Sequence, residues 1–193
     1  MTTHGRAPGG RPARLALCGL FAALTAACTM ISIPLPFTPV PINLATLSVL
    51  MAGGLLGPRH GAISQAVYVL LGAVGFPVFS NFSGGLMKLA GPTGGYIVSY
   101  IPAALAVGLM AGAGRGGGRP GAARTARLAM AMACGMAVCY ALGTAWFMIS
   151  TNVGLAAALV QCVIPFIPGD MLKAAVGAYL CGALGRALRP DRR

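Results

Sequence analysis

Val163-Ile164-Pro165-Phe166-Ile167-Pro168-Gly169-Asp170-Met171-Leu172-Lys173 sets a carboxylate and an amine inside an otherwise apolar run. The chain of 193 residues has only one other acidic residue, Asp191, in its basic C-terminal tail. It is 57% hydrophobic and 8% charged, where ordinary soluble domains carry roughly 25% charged residues. So few charges cannot cover a water-facing surface, and the mean hydropathy is +0.81. Bilayer lipid must therefore be much of the solvent. A carboxylate at membrane depth costs about 2.5–3.5 kcal/mol on insertion scales, so Asp170 needs a partner or a task.

Working outward from that run, the sequence predicts an all-α integral membrane protein with six transmembrane helices. The spans fall near 15–33, 42–57, 61–75, 96–113, 128–149 and 168–188. Residues 1–14 form a basic cytoplasmic leader, 15–188 a single membrane domain, and 189–193 a basic cytoplasmic tail. Pro34, Pro36, Pro39 and Pro41 cannot continue a helix, which makes 34–41 an extended or re-entrant connection. The second and third spans are short for a hydrocarbon core of about 30 Å. Residues 77–95 and 114–127 read as loops, and 153–167 as an apolar connection with room for a short helix. Pro168 suits the first turn of the last span.

Charge sets the orientation. Arg6, Arg11, Arg14, Arg59, Arg115, Arg119, Arg124, Arg127, Arg186, Arg189, Arg192 and Arg193 all fall on one side of a six-span chain. That side is the cytoplasm, with both termini, by the excess of Lys and Arg in cytoplasmic loops. Lys88, Asp170 and Lys173 fall on the outer side.

Several function classes drop out. The net charge of +12 is dispersed in short clusters between apolar stretches, a loop pattern rather than a nucleic-acid footprint. The six cysteines form no C-x-x-C pair, and His4 and His60 stand apart, so no metal cluster is visible. Arg6, Arg11 and Arg14 before an apolar stretch resemble a signal peptide, and Thr25-Ala26-Ala27-Cys28 a weak lipoprotein cleavage box; the multispan pattern that follows makes this an uncleaved first helix. No G-x-x-x-x-G-K-[ST] loop, paired carboxylates or nucleophile–base set exists, which argues against an enzyme and against ATP binding of that type.

Asp170 and Lys173, three residues apart, share one face of the last helix. Ala174, Ala178 and Gly182 continue that face as small residues. Only 12 uncharged residues separate Lys173 from Arg186, so the pair enters the outer membrane layer. Two readings stand side by side. Asp170 can cap a helix start with Lys173 as its ion-pair partner, or the pair can hold a ligand. Asn81 between Phe79 and Phe82, together with Lys88 and the glycines around them, adds an amide, a second amine and aromatic walls on the same side. That set suits a small amphiphile carrying N–H donors and an anionic group. Ala22/Ala26 and Ala23/Ala27 are small-xxx-small pairs, which pack helices within a chain or dock a membrane partner.

Four strings then resemble one family: Pro34-Leu35-Pro36-Phe37-Thr38-Pro39-Val40-Pro41-Ile42, Gly75-Phe76-Pro77-Val78-Phe79, Gly91-Pro92-Thr93-Gly94-Gly95-Tyr96 and Pro165 to Lys173. Their order and content over about 15–188 resemble the BioY family, the biotin-specific substrate-capture subunits of energy-coupling-factor transporters. The resemblance implies a six-helix fold in the cell membrane that captures biotin from outside and needs no cofactor. It implies partners as well, a transmembrane coupling subunit and ABC-type ATPases, with the Ala22 and Ala26 face docking the former. Asp170 and Asn81 would hold the ureido ring, with Lys173 beside them. Lys88 would meet the valerate carboxylate, and Phe79, Phe82 and Tyr96 would wall the rings and tail. Asn43-Leu44-Ala45 departs from the family's frequent Thr-Leu-Gln. Two other readings remain at this point: a self-sufficient ion-coupled carrier titrating at Asp170, and a structural subunit in which Asp170–Lys173 is only a cap and ion pair.

Overall fold

The computed structural model describes residues 11–36, 38–112 and 122–187. The predicted leader before Arg11, the arginines at 115 and 119, and the tail from Leu188 lie outside the described residues. The described chain is mostly helical. Helix α1 spans Arg11–Met30, followed by strands β1 (Ser32–Leu35) and β2 (Thr38–Asn43). Then come α2 (Ala45–Val74), a 3-10 turn at Ser80–Phe82, and α3 (Leu86–Ala90). Helices α4 (Gly94–Ala111), α5 (Ala122–Thr151), α6 (Leu155–Cys162) and α7 (Ile167–Ala187) complete it.

Three helices, α1, α4 and α5, are long and apolar enough to cross a membrane, and α6 with α7, bent by 54°, meet the same criteria as a pair. Many large apolar side chains point outward, among them Leu20, Leu70, Leu109, Ile149 and Tyr179, as expected where lipid replaces water. This is a membrane protein.

The all-α expectation needs one correction. The proline-rich connection is an antiparallel hairpin, with Ser32 opposite Asn43, Ile33 opposite Ile42 and Leu35 opposite Thr38. Pro39 and Pro41 lack N–H groups, yet a two-stranded ribbon has an open edge on each strand where no donor is needed.

Helix α2 is two arms rather than one rod. Gly57 has φ 83° and ψ 179°, a conformation that breaks the helix and that L side chains rarely adopt. Pro58 opens the second arm. A Cβ built on Gly61 would lie 2.9 Å from the Cα of Gly53. Eight residues along a straight helix would separate them by about 12 Å, so the chain doubles back at Gly57. The arms 45–56 and 58–74 overlap the stretches 42–57 and 61–75 that the sequence reading takes as its second and third spans, and glycine at 53 and 61 lets them touch.

Two apolar clusters stack along the bundle. One gathers Tyr68, Phe79, Tyr96, Tyr100 and Phe147. The other gathers Leu50, Met51, Val107, Leu128, Met132 and Cys181. Tyr140 packs against both. Polar groups between α1 and the arms of α2 are mutually satisfied: the Thr25 hydroxyl is 2.9 Å from that of Ser48 and donates to Gln65 Oε1 at 3.3 Å. Arg127 lies beside Gly112 and Arg124 beside Gly185, at the end of the bundle opposite the hairpin.

Candidate functional site

At the hairpin end the helix starts and turns enclose a cavity of about 790 Å³, its mouth included. Strand β2 supplies Pro39, Val40, Pro41 and Asn43, and the start of α2 supplies Thr46. The 3-10 turn and α3 add Ser80, Asn81 and Lys88. Tyr96, Ile97 and Tyr100 come from α4, Met136, Cys139 and Tyr140 from α5, and Phe166, Asp170 and Lys173 from the approach to α7 and its first turns.

Asp170 is 5% exposed. Its N–H already bonds Phe166 O at 2.9 Å, so it sits inside the first turn. The hydrogen bonds its carboxylate accepts come from side chains: Lys173 Nζ to Oδ1 at 2.8 Å, Thr46 Oγ1 to Oδ1 at 3.5 Å, and the Tyr140 hydroxyl to Oδ2. No described backbone N–H donates to it, so the carboxylate does not serve as the helix cap that one sequence reading allowed. Lys173 Nζ also donates to Thr46 Oγ1 at 3.3 Å. Three helices thus converge on one anion. Lys173–Asp170 is the one ion pair among the described residues. Lys88, the other amine of the wall, leaves the cavity with a formal excess of one positive charge, which favours an anionic ligand group.

Asn81 stands in the left-handed region, φ 61°, on the turn beside the hairpin. Its Oδ1 accepts from Ser32 Oγ at 3.1 Å, while its NH2 has no described partner. Asn43 donates to Ser80 Oγ at 3.3 Å and accepts from the N–H of Ala45 at 3.0 Å. These bonds hold the hairpin, the turn and the start of α2 together as one rim.

The structure brings Asp170, Lys173, Asn81, Lys88 and Tyr96 together around the cavity. It does not bring Phe79 or Phe82 there. Phe79 is fully buried, pressed on Gly72 and edge-on to Tyr68 with ring centroids 5.6 Å apart. Phe82 is 68% exposed and turned away. The two flank Asn81 in sequence, but its left-handed turn sends all three in different directions. Tyr96 does form a wall, its hydroxyl 2.8 Å from that of Thr144 and its ring against Gly143. The remaining aromatic walls are Tyr100, Tyr140 and Phe166. Tyr100 lies four residues after Tyr96 on the same helix face, and Phe166 four before Asp170, spacings the sequence exposes. Tyr140 gives no such local signal.

Ala22 is 3% exposed and part of the intramolecular core, and Ala26 packs against that core. Ala23 and Ala27 are the exposed pair on α1, together with Gly19, whose added Cβ would meet nothing within 4 Å. Among the described residues no group of His, Cys, Asp or Glu could hold a metal ion.

Comparison with known proteins adds the family. The BioY family model matches residues 3–190. The chain belongs to the BioY family. It is 39% identical over 182 residues to a biotin transporter BioY of Rhizobium etli, covering 92% of this chain and 97% of that one. A biotin transporter BioY of Thermotoga maritima is 36% identical, covering 86% and 92%. Among solved structures, the crystal structure of the S-component for biotin from an ECF-type ABC transporter superposes with a TM-score of 0.81 at 25% identity, over 94% of this chain and 95% of that one. Three of the four strings that carry the BioY resemblance contribute cavity wall: the hairpin, the start of α4 and the start of α7. The fourth, 75–79, forms the turn that buries Phe79. Ala45, where BioY chains often have Gln, is fully buried in the core, while its neighbours Asn43 and Thr46 face the cavity.

Proposed function

We propose that this chain is the biotin-capturing membrane subunit of an energy-coupling-factor transporter, energised by separate coupling and ATPase subunits. The observation that carries the reading is the buried Asp170 carboxylate, in contact with Lys173 and facing a cavity whose polar walls include Asn81 and Lys88. A ureido ring has N–H donors for the carboxylate and a carbonyl for the Asn81 amide. Its tail carries an anionic group that Lys88 meets. Tyr96, Tyr100 and Phe166 supply apolar wall for the thiophane ring and chain.

The membrane domain over 15–188 crosses six times, counting the arms of α2 as two spans, with both termini in the cytoplasm. The separation of the cavity from Arg124 and Arg127 along the bundle supports that orientation, because basic loops stay inside and the cavity then opens outward. Burial of Ala22 moves the docking surface for the coupling subunit to the neighbouring pair Ala23 and Ala27, where a partner helix can approach. No observation favours the ion-coupled carrier, since the one acidic residue among those described is already paired with an amine.

Calorimetric titration of the purified chain with biotin and desthiobiotin tests the proposal. Saturable binding of both is the expected result, because both carry the ureido ring and the carboxylate. Absence of heat with biotin overturns it.

A further inference from the structure

Asp170 is held at both of its oxygens by groups of different origin. Lys173 and Thr46 meet Oδ1, and the Tyr140 hydroxyl meets Oδ2 from a helix thirty residues earlier in the chain. A carboxylate anchored at one oxygen can turn about its Cβ–Cγ bond. One anchored at both has its plane set before any ligand arrives. Lys173 serves Oδ1 and Thr46 and makes no hydrogen bond to Oδ2. Thr46 reaches only Oδ1. Tyr140 is the remaining donor, and its ring is wedged between the two apolar clusters, so its hydroxyl has little freedom to follow a turning carboxylate.

Resting on the biotin reading above, we infer that Tyr140 is the positioning residue that orients the Asp170 carboxylate toward ligand N–H groups and thereby sets selectivity for an unsubstituted ureido ring. A carboxylate accepts at about four lone-pair sites. With three donors from the protein, about one such site is left for a ligand N–H. A ligand that offers an acceptor at that spot finds no hydrogen to meet it. Preset acceptors of this kind bind without the cost of reorganising the site.

Binding of biotin and of an analogue methylated on the ureido nitrogen, measured on wild type and Tyr140→Phe, tests the inference. The substitution keeps the packed ring and removes the hydroxyl alone. Biotin affinity is expected to fall about tenfold, the usual effect of losing a hydrogen bond to a charged group, while the weak binding of the methylated analogue stays unchanged. The selectivity between the two ligands therefore narrows about tenfold. In an Asp170→Asn background the same substitution should change biotin affinity less than twofold, because the two residues act through one contact. A thermal melt of each variant with and without biotin reports folding separately. Unchanged biotin affinity in Tyr140→Phe overturns the inference while leaving the function intact. Equal weakening of both ligands overturns it too, since that is the mark of a merely structural role. A wild-type chain that binds no biotin removes the function and the inference together.

Discussion

Lys173 Nζ lies 2.8 Å from Asp170 Oδ1, and both atoms belong to side chains in the wall of one cavity. Spacing of three residues on α7 makes the contact local, but Tyr140 and Thr46 decide that the carboxylate stays at the cavity instead of capping the helix. Under the proposed function the pair serves recognition with a fixed polarity. Reversing it should matter.

Asp170→Ala should weaken biotin binding about 100-fold, the loss of at least one charge-assisted hydrogen bond plus an unpaired Lys173. The charge-swapped double variant, Asp170→Lys with Lys173→Asp, should restore part of the thermal stability and none of the binding. Titration calorimetry and melting curves on the same preparations separate the two effects. A swapped chain that binds like wild type would remove the ligand role of Asp170.

In the proposed site Lys88 contributes charge rather than shape. Lys88→Ala should weaken biotin about fivefold, the scale of a partly exposed ion pair worth about 1 kcal/mol. The methyl ester of biotin should bind wild type and variant equally. Raising the salt concentration should shrink the difference. Competition between labelled biotin and each ligand reads all three outcomes.

The reversal in α2 depends on missing side chains. A Cβ at Gly53 would overlap the Ala104 carbonyl and the Val107 side chain, so Gly53→Val should destabilise the chain by about 1–3 kcal/mol, in the range of overpacked cores, or more. Gly182 on α7 has open space where its Cβ would be, and Gly182→Ala should cost nothing. Detergent melts of the two variants should differ by several degrees in Tm.

Docking and ligand capture should separate on α1. Ala23→Leu with Ala27→Leu should leave biotin affinity within about twofold and abolish co-purification with the coupling subunit, because both positions are exposed. Ala22→Leu should instead lower thermal stability, since that side chain is buried in the core. Equal loss of partner binding in both variants would return the docking face to Ala22.

Which of these features the sequence makes legible follows from how far each signal reaches along the chain. The apolar runs are local and continuous, and they mark the ends of α1, α4, α5 and α7 to within about six residues. The Asp170–Lys173 contact is local too. The proline-rich connection revealed its lack of helix but not its hairpin, because strand register is a pairing between segments. Phe79 and Phe82 flank Asn81 in sequence yet neither lines the cavity, for a related reason. Adjacent positions say nothing about direction once Asn81 adopts a left-handed conformation. Of two adjacent small-residue pairs on α1, only neighbours from elsewhere in the chain determine which is inward, and burial selects Ala22.

Composition alone made this a membrane protein, and the rarity of acidic residues singled out Asp170, since a bilayer tolerates so few charges that each survivor is conspicuous. The three-helix clasp on that carboxylate was beyond reach of the sequence. Tyr140 and Thr46 meet it from 30 and 124 residues away. No local periodicity encodes contacts at such separations; packing of α2, α5 and α7 against one another brings them into being.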